Sequence, residues 1–128
     1  MLDRARIISR DLNAARRFYA ATARPLGLAI IEAQDDGFTL GRLNDMSVAV
    51  LRVKRAADVS ELQEAGPERR VEIEAPDDYT VRAFYRAALE AGGRQVGYPG
   101  PQPTTAGSYY AARVEDPDGN CIECGWHH

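Results

Sequence analysis

The chain has 128 residues, 45% of them hydrophobic, which is enough for one domain with a real core. Its net charge of −3 gives no electrostatic case for nucleic acid, and no apolar run approaches the roughly 18 residues that a membrane-spanning helix needs. Two cysteines do not make a disulfide framework, and the opening MLDRARIISRD lacks the apolar core of a secretory leader, so a cytoplasmic protein with free thiols is expected.

In chain order, Ala5 and Ile7 set the period of a first strand, and Asp11 can accept the free N–H groups of a helix start. Leu12, Ala15, Phe18, Tyr19 and Thr22 then recur at helical spacing, and Gly27 stops the helix. Three strands are expected at residues 28–33, 38–42 and 47–53, joined by DDG and LND turns. Residues 54–69 are polar, contain Gly66-Pro67 and read as a linker.

The pattern then begins again. RARIISRDLNAARRFYAATARPLG (4–27) aligns without a gap on RVEIEAPDDYTVRAFYRAALEAGG (70–93) at a constant offset of 66. Arg4 falls on Arg70, Asp11 on Asp77, Arg16 on Arg82, Phe18 on Phe84, Tyr19 on Tyr85, Ala21 on Ala87 and Gly27 on Gly93. A repeat of this kind outranks any local motif. The second copy continues with a strand at 94–97, a Gly/Pro loop at 98–107 and strands at 109–114 and 120–126 around the turn EDPDGN.

The fold class expected is therefore α+β. One domain, 1–128, holds two βαβββ modules, 1–53 and 70–128, about the 54–69 linker. Neither module is large enough to bury a good core alone. They are expected to pair edge to edge into a curled mixed sheet, with helices on the outer face and a concave cleft on the other.

The chain's last eight residues, CIECGWHH, invite a metal reading. Side chains alternate along a strand, so Cys121, Glu123 and Gly125 share one face while Ile122, Cys124 and Trp126 share the other. The two cysteines point opposite ways, and no helix start lowers a thiol pKa here. Cys124 and Trp126 are expected in the core, and His127 and His128 are expected to fray. Glu123 stands out, because a carboxylate on a concave face needs an ion, a donor or water.

The stretches RDLNAARRFY, APDDYTVRAFYRAALEAGG, YPGPQP and YYAARVEDPDGNCIE together resemble the vicinal oxygen chelate superfamily, the glyoxalase/bleomycin-resistance/dioxygenase proteins. DPDGN-x-IE after YYAA is the most specific element. The resemblance covers nearly the whole chain and implies paired βαβββ modules and a homodimer. In many such proteins a divalent metal in the cleft acts on small molecules through vicinal oxygens. Others bind drugs such as bleomycin without catalysis.

The resemblance also locates the metal ligands. Two are histidines at strand starts, where this chain has Arg4 and Arg70, and the third is the glutamate that Glu123 retains. In the loop before YYAA, where relatives often carry Arg, Tyr and His, this chain has Gln102, Thr105 and Ala106. Arginine has no lone pair to give a metal. No metal or other cofactor is expected, with Zn, Ni, Mn or Fe on Glu123 and Cys121 as the alternative.

Three function classes follow. The first is a protein that binds a small organic, in particular anionic, molecule through Arg4, Arg70, Tyr98, Tyr109, Tyr110 and Cys121. The second is a lyase, isomerase or dioxygenase with Glu123 as catalytic base or metal ligand. The third is a degenerate member acting through protein contacts. A pairing of Arg4 and Arg70 with Glu123 is the structural expectation for the vacated metal position.

Overall fold

The structure, a computed structural model, describes residues 5–57, 70–103 and 107–128. The first module runs β1 (Ala5–Ser9), α1 (Leu12–Ala23), a 3-10 turn (Arg24–Leu26), β2 (Leu28–Gln34), β3 (Gly37–Arg42) and β4 (Asp45–Arg55). The second runs β5 (Arg70–Glu74), α2 (Asp78–Glu90), β6 (Arg94–Gln102), β7 (Tyr109–Glu115) and β8 (Cys121–His127). Both helices start as the repeat predicts. Asp11 accepts from the Ala14 N–H at 3.1 Å and Asp77 from the Thr80 N–H at 2.7 Å. β6 extends through Gln102 and so takes in the first half of the expected Gly/Pro loop. Of the expected linker, residues 58–69 lie outside the described residues, and β4 itself runs to Arg55.

The expected single curled sheet does not form. The strands fall into two four-stranded sheets, ordered β1-β4-β3-β2 and β5-β8-β7-β6, and neither closes or curls strongly. A concave cleft is therefore not part of this fold. The physical reason lies in how the modules meet. Among the described residues no backbone ladder joins β1 to β5; the modules are held by buried side chains and a shared apolar core.

That core is one cluster. Ile7, Phe18, Tyr19, Phe38, Leu51 and Val53 of the first module join Val71, Val81, Phe84, Val114, Ile122 and Cys124 of the second. In both sheets the strand nearest the helix repeat pairs in parallel, β1 with β4 and β5 with β8, while the remaining pairs are antiparallel. Each sheet buries one face against its helix and leaves the other open.

The DPDGN turn ties the modules together. The buried Asp116 carboxylate accepts from the Tyr19 hydroxyl at 2.6 Å, and Asp118 accepts from the Ser9 hydroxyl at 2.6 Å and the Arg10 N–H at 2.9 Å. Asn120 Nδ2 donates to Asp116 at 2.9 Å and, more weakly, to the Ile8 carbonyl at 3.4 Å. The turn chemistry of this sequence is thus also the cement between its two halves. No helix among the described residues is long and apolar enough to cross a membrane.

Candidate functional site

The open face of the second sheet carries the site. Strand alternation puts Cys121, Glu123 and Gly125 of β8 on this face, as the sequence predicts, and His127 with them. Register then chooses Glu123's neighbours. Glu72 flanks it on β5 and Arg113 on β7, while Arg70 lies beside Cys121.

Glu123 is only 5% exposed, and three donors surround it. Arg113 Nε donates to Oε1 at 2.8 Å, Arg70 Nη1 donates to the same oxygen at 3.3 Å, and the Tyr109 hydroxyl donates to Oε2 at 2.7 Å. Burial pushes the Glu123 carboxyl up. The hydrogen bonds from Tyr109 and Arg113 and the charges of Arg113 and Arg70 outweigh it and hold the group below its ordinary range. The same contact raises the Tyr109 phenol, first through burial and then through its bond to the carboxylate.

Tyr109 can reach Glu123 because of Gly125. The tyrosine starts opposite His127 on the neighbouring strand and stacks on that imidazole with ring centroids 4.2 Å apart. Its ring then lies across Gly125, where any Cβ would collide with it. His127, expected to fray, is instead part of β8.

The other residues singled out by sequence divide. Arg70, Tyr109 and Cys121 come together around Glu123. Tyr110 points the other way, packs against the core and neighbours Trp126. Tyr98 is 74% exposed on β6, with its ring beside Tyr85 of α2. Arg4, Thr105 and Ala106 lie outside the described residues. Arg113 is the partner sequence reasoning missed. The signal was present: a hairpin closing at Asp118-Gly119 that pairs Glu115 with Cys121 must pair Arg113 with Glu123.

The metal of the resembled family does not fit these residues. Both Glu123 oxygens already accept hydrogen bonds, and two guanidiniums at the site repel a divalent cation. Cys121 offers little help, because burial pushes its thiol up and the charges of Arg70 and Arg113 only partly offset this. Among the described residues no group of three His, Cys, Asp or Glu side chains could hold a metal ion. What remains is a fixed pair of guanidiniums, with side chains 46% (Arg70) and 42% (Arg113) exposed. Their inner donors grip Glu123, and their outer edges reach solvent.

Comparison with known proteins bears on this geometry. A family model described as Glyoxalase/Bleomycin resistance protein/Dioxygenase superfamily matches residues 1–124. The chain is similar to a solved glyoxalase/bleomycin resistance protein from Albidiferax ferrireducens T118, at 20% identity and a TM-score of 0.79, over 98% of each chain. It is similar to a glyoxalase/bleomycin resistance protein/dioxygenase family enzyme from Burkholderia phytofirmans PsJN, at 19% identity and a TM-score of 0.70, covering 97% of this chain and 96% of the other. A bleomycin resistance determinant encoded on the transposon Tn5 matches at 19% identity and a TM-score of 0.64, over 100% and 98% of the two chains. No curated protein sequence matches the chain.

Proposed function

Starting from a chain that belongs to the glyoxalase/bleomycin resistance protein/dioxygenase superfamily, we propose that it binds a small organic anion on the open face of its second sheet. The observation that carries the reading is the Arg70–Arg113 pair anchored on Glu123. Two guanidiniums against one carboxylate leave one positive charge among these three groups. Their planar forks suit a carboxylate or phosphate. Tyr109 adds an apolar ring beside them. Glu72, next to Glu123 in register, moderates the field and favours a small anion over a polyanion.

Binding without turnover suits the site better than catalysis. A general base needs an accessible lone pair and a pKa near the working pH. Glu123 is gripped by three donors and held low. The Tn5 relative, described as a bleomycin resistance determinant, offers a parallel for a protective binding role.

The test is calorimetric titration with benzoate and phenyl phosphate at fixed ionic strength. Arg113→Met and Arg70→Met should each weaken binding about tenfold or more, the loss of about one charge-assisted hydrogen bond. Equal affinity in the wild type and both variants would sink the reading.

The proposed form in solution is a cytoplasmic homodimer. Leu43 and Met46, each 61% exposed around the β3–β4 turn, give a second copy an apolar foothold. Two unpaired thiols suit a reducing compartment. Light scattering should read twice the 14.1 kDa chain mass, and a monomer mass at micromolar concentration would refute the dimer.

A further inference from the structure

The junction between the modules is closed unequally. The repeat gives each module a last hairpin in the same place, β3–β4 in the first and β7–β8 in the second. The β7–β8 turn reaches across and bonds to Ser9 and Arg10 after β1. The β3–β4 turn does not return the contact. Its Leu43 N–H donates to the Gly27 carbonyl at 3.0 Å, and its Asp45 accepts from Ser47, both within the first module.

A groove of about 220 Å³ opens beside that turn. Arg42 and Val48 line it from the two sides of the turn, and Glu72, Ile73 and Glu74 line it from β5. Its floor is apolar. Leu28 and Ile73 belong to the core that both modules share, and Ala5, Leu26 and Val50 pack against that core. Neither Arg70 nor Arg113 lines it.

The rim is acidic. Glu72 and Glu74 stand there against one cation, Arg42, which is itself opposed by Asp45, its partner in register across the turn. Among the described residues Glu72 makes no hydrogen bond or ion pair. Glu74 has only the His127 imidazole, 4.0 Å away. β5 is also the edge of its sheet, so alternate backbone carbonyls turn away from β8. An ammonium group has three donors and no acceptor, and it meets carboxylates and carbonyls here. Apolar walls below such a rim match a hydrocarbon body that ends in one positive charge.

We propose that this groove binds a small primary amine with an apolar body. The hydrocarbon lies against Leu26, Leu28, Val50 and Ile73, and the ammonium sits at Glu72 and Glu74. The volume is below the roughly 300–1,000 Å³ of drug-sized pockets, so the ligand is a single-ring or short-chain amine. Its charge is opposite to that of the anion assigned to Arg70 and Arg113, and the two sites fail separately.

The probe is 2-phenylethylamine as its chloride salt, titrated by calorimetry at neutral pH and fixed ionic strength. It should bind saturably, and 2-phenylethanol, which lacks the charge, should bind several-fold more weakly. Glu74→Gln should weaken the amine about threefold, the range of one exposed ion pair. The Glu74 side chain is 83% exposed, so this variant folds as the wild type does. Leu26→Ala should weaken binding several-fold through lost apolar contact. Saturating benzoate should leave the amine's affinity unchanged. The proposal is overturned if the alcohol binds as tightly as the amine, if either variant binds as the wild type does, or if benzoate displaces the amine. It is also overturned if the amine does not saturate, and a doubled mass by light scattering would then give the groove to a second copy.

Discussion

Glu123→Gln is expected to cost about 2–4 kcal/mol of folding stability at neutral pH, read by urea denaturation. The substitution keeps the shape and removes the charge. It leaves Arg113 and Arg70 facing an amide, and one amide corner must present N–H groups to donors. Breaking a fully buried ion pair costs more, but both guanidiniums here keep partial access to water, which screens the loss.

The pH dependence gives the same prediction a sign. Glu123 has its folded pKa held below the ordinary carboxylate value of 4.5. A carboxyl lowered in the folded state contributes stability that is fully present above its unfolded pKa and is lost as pH falls through its folded one. The gap between wild type and Glu123→Gln should therefore be constant at neutral pH and narrow below about 4.5. A gap that widened on acidification, or no gap at any pH, would mean that the cluster does not hold this strand.

Asp116→Ala should be at least as damaging, at about 3–4 kcal/mol, measured by thermal or urea unfolding. The carboxylate is 2% exposed and accepts four hydrogen bonds: from Tyr19, from Asn120 Nδ2 and from the backbone N–H groups of Asp118 and Asn120. Alanine would strand all four donors where the modules join. Tyr19→Phe removes a single partner and should cost about 1 kcal/mol. A mild Asp116→Ala beside a severe Tyr19→Phe would reverse this account of the junction.

The two buried carboxylates also show why burial alone does not decide a pKa. Burial pushes both up. Asp116 meets only neutral donors, which do not outweigh it, and stays raised. Glu123 meets two guanidiniums and ends low. In Asp116, ionisation costs stability as pH rises from the unfolded value through the folded one, the opposite sense to Glu123.

Much of this was legible from the chain. The offset of 66 between the copies gives the element order, and Asp11 and Asp77 mark both helix starts. Period two along β8 separates Cys121 from Cys124, and burial then pushes the Cys124 thiol up to about 12. The joining of the modules was not legible. Hydrogen bonds between Tyr19 and Asp116, or Ser9 and Asp118, span about a hundred residues and have no local pattern. For that reason a continuous curled sheet with a cleft was expected, where the fold builds two sheets. Arg113 was missed for a milder reason. Its role appears only when the hairpin register is carried past the turn, and a lone arginine in a strand otherwise reads as solvated surface. Tyr98 and Tyr110 lie away from Glu123, a placement hidden in the sequence because a tyrosine's type does not reveal its face.

Elemental analysis most directly tests the claim that Arg70, Arg113 and Tyr109 occupy the coordination of Glu123 in place of a metal. The protein would be purified without chelators, loaded in turn with Zn, Ni, Mn and Fe, and compared with Glu123→Ala. The account predicts less than stoichiometric metal in both proteins after desalting. One ion per chain in the wild type, lost in Glu123→Ala, would contradict it and make Glu123 a ligand.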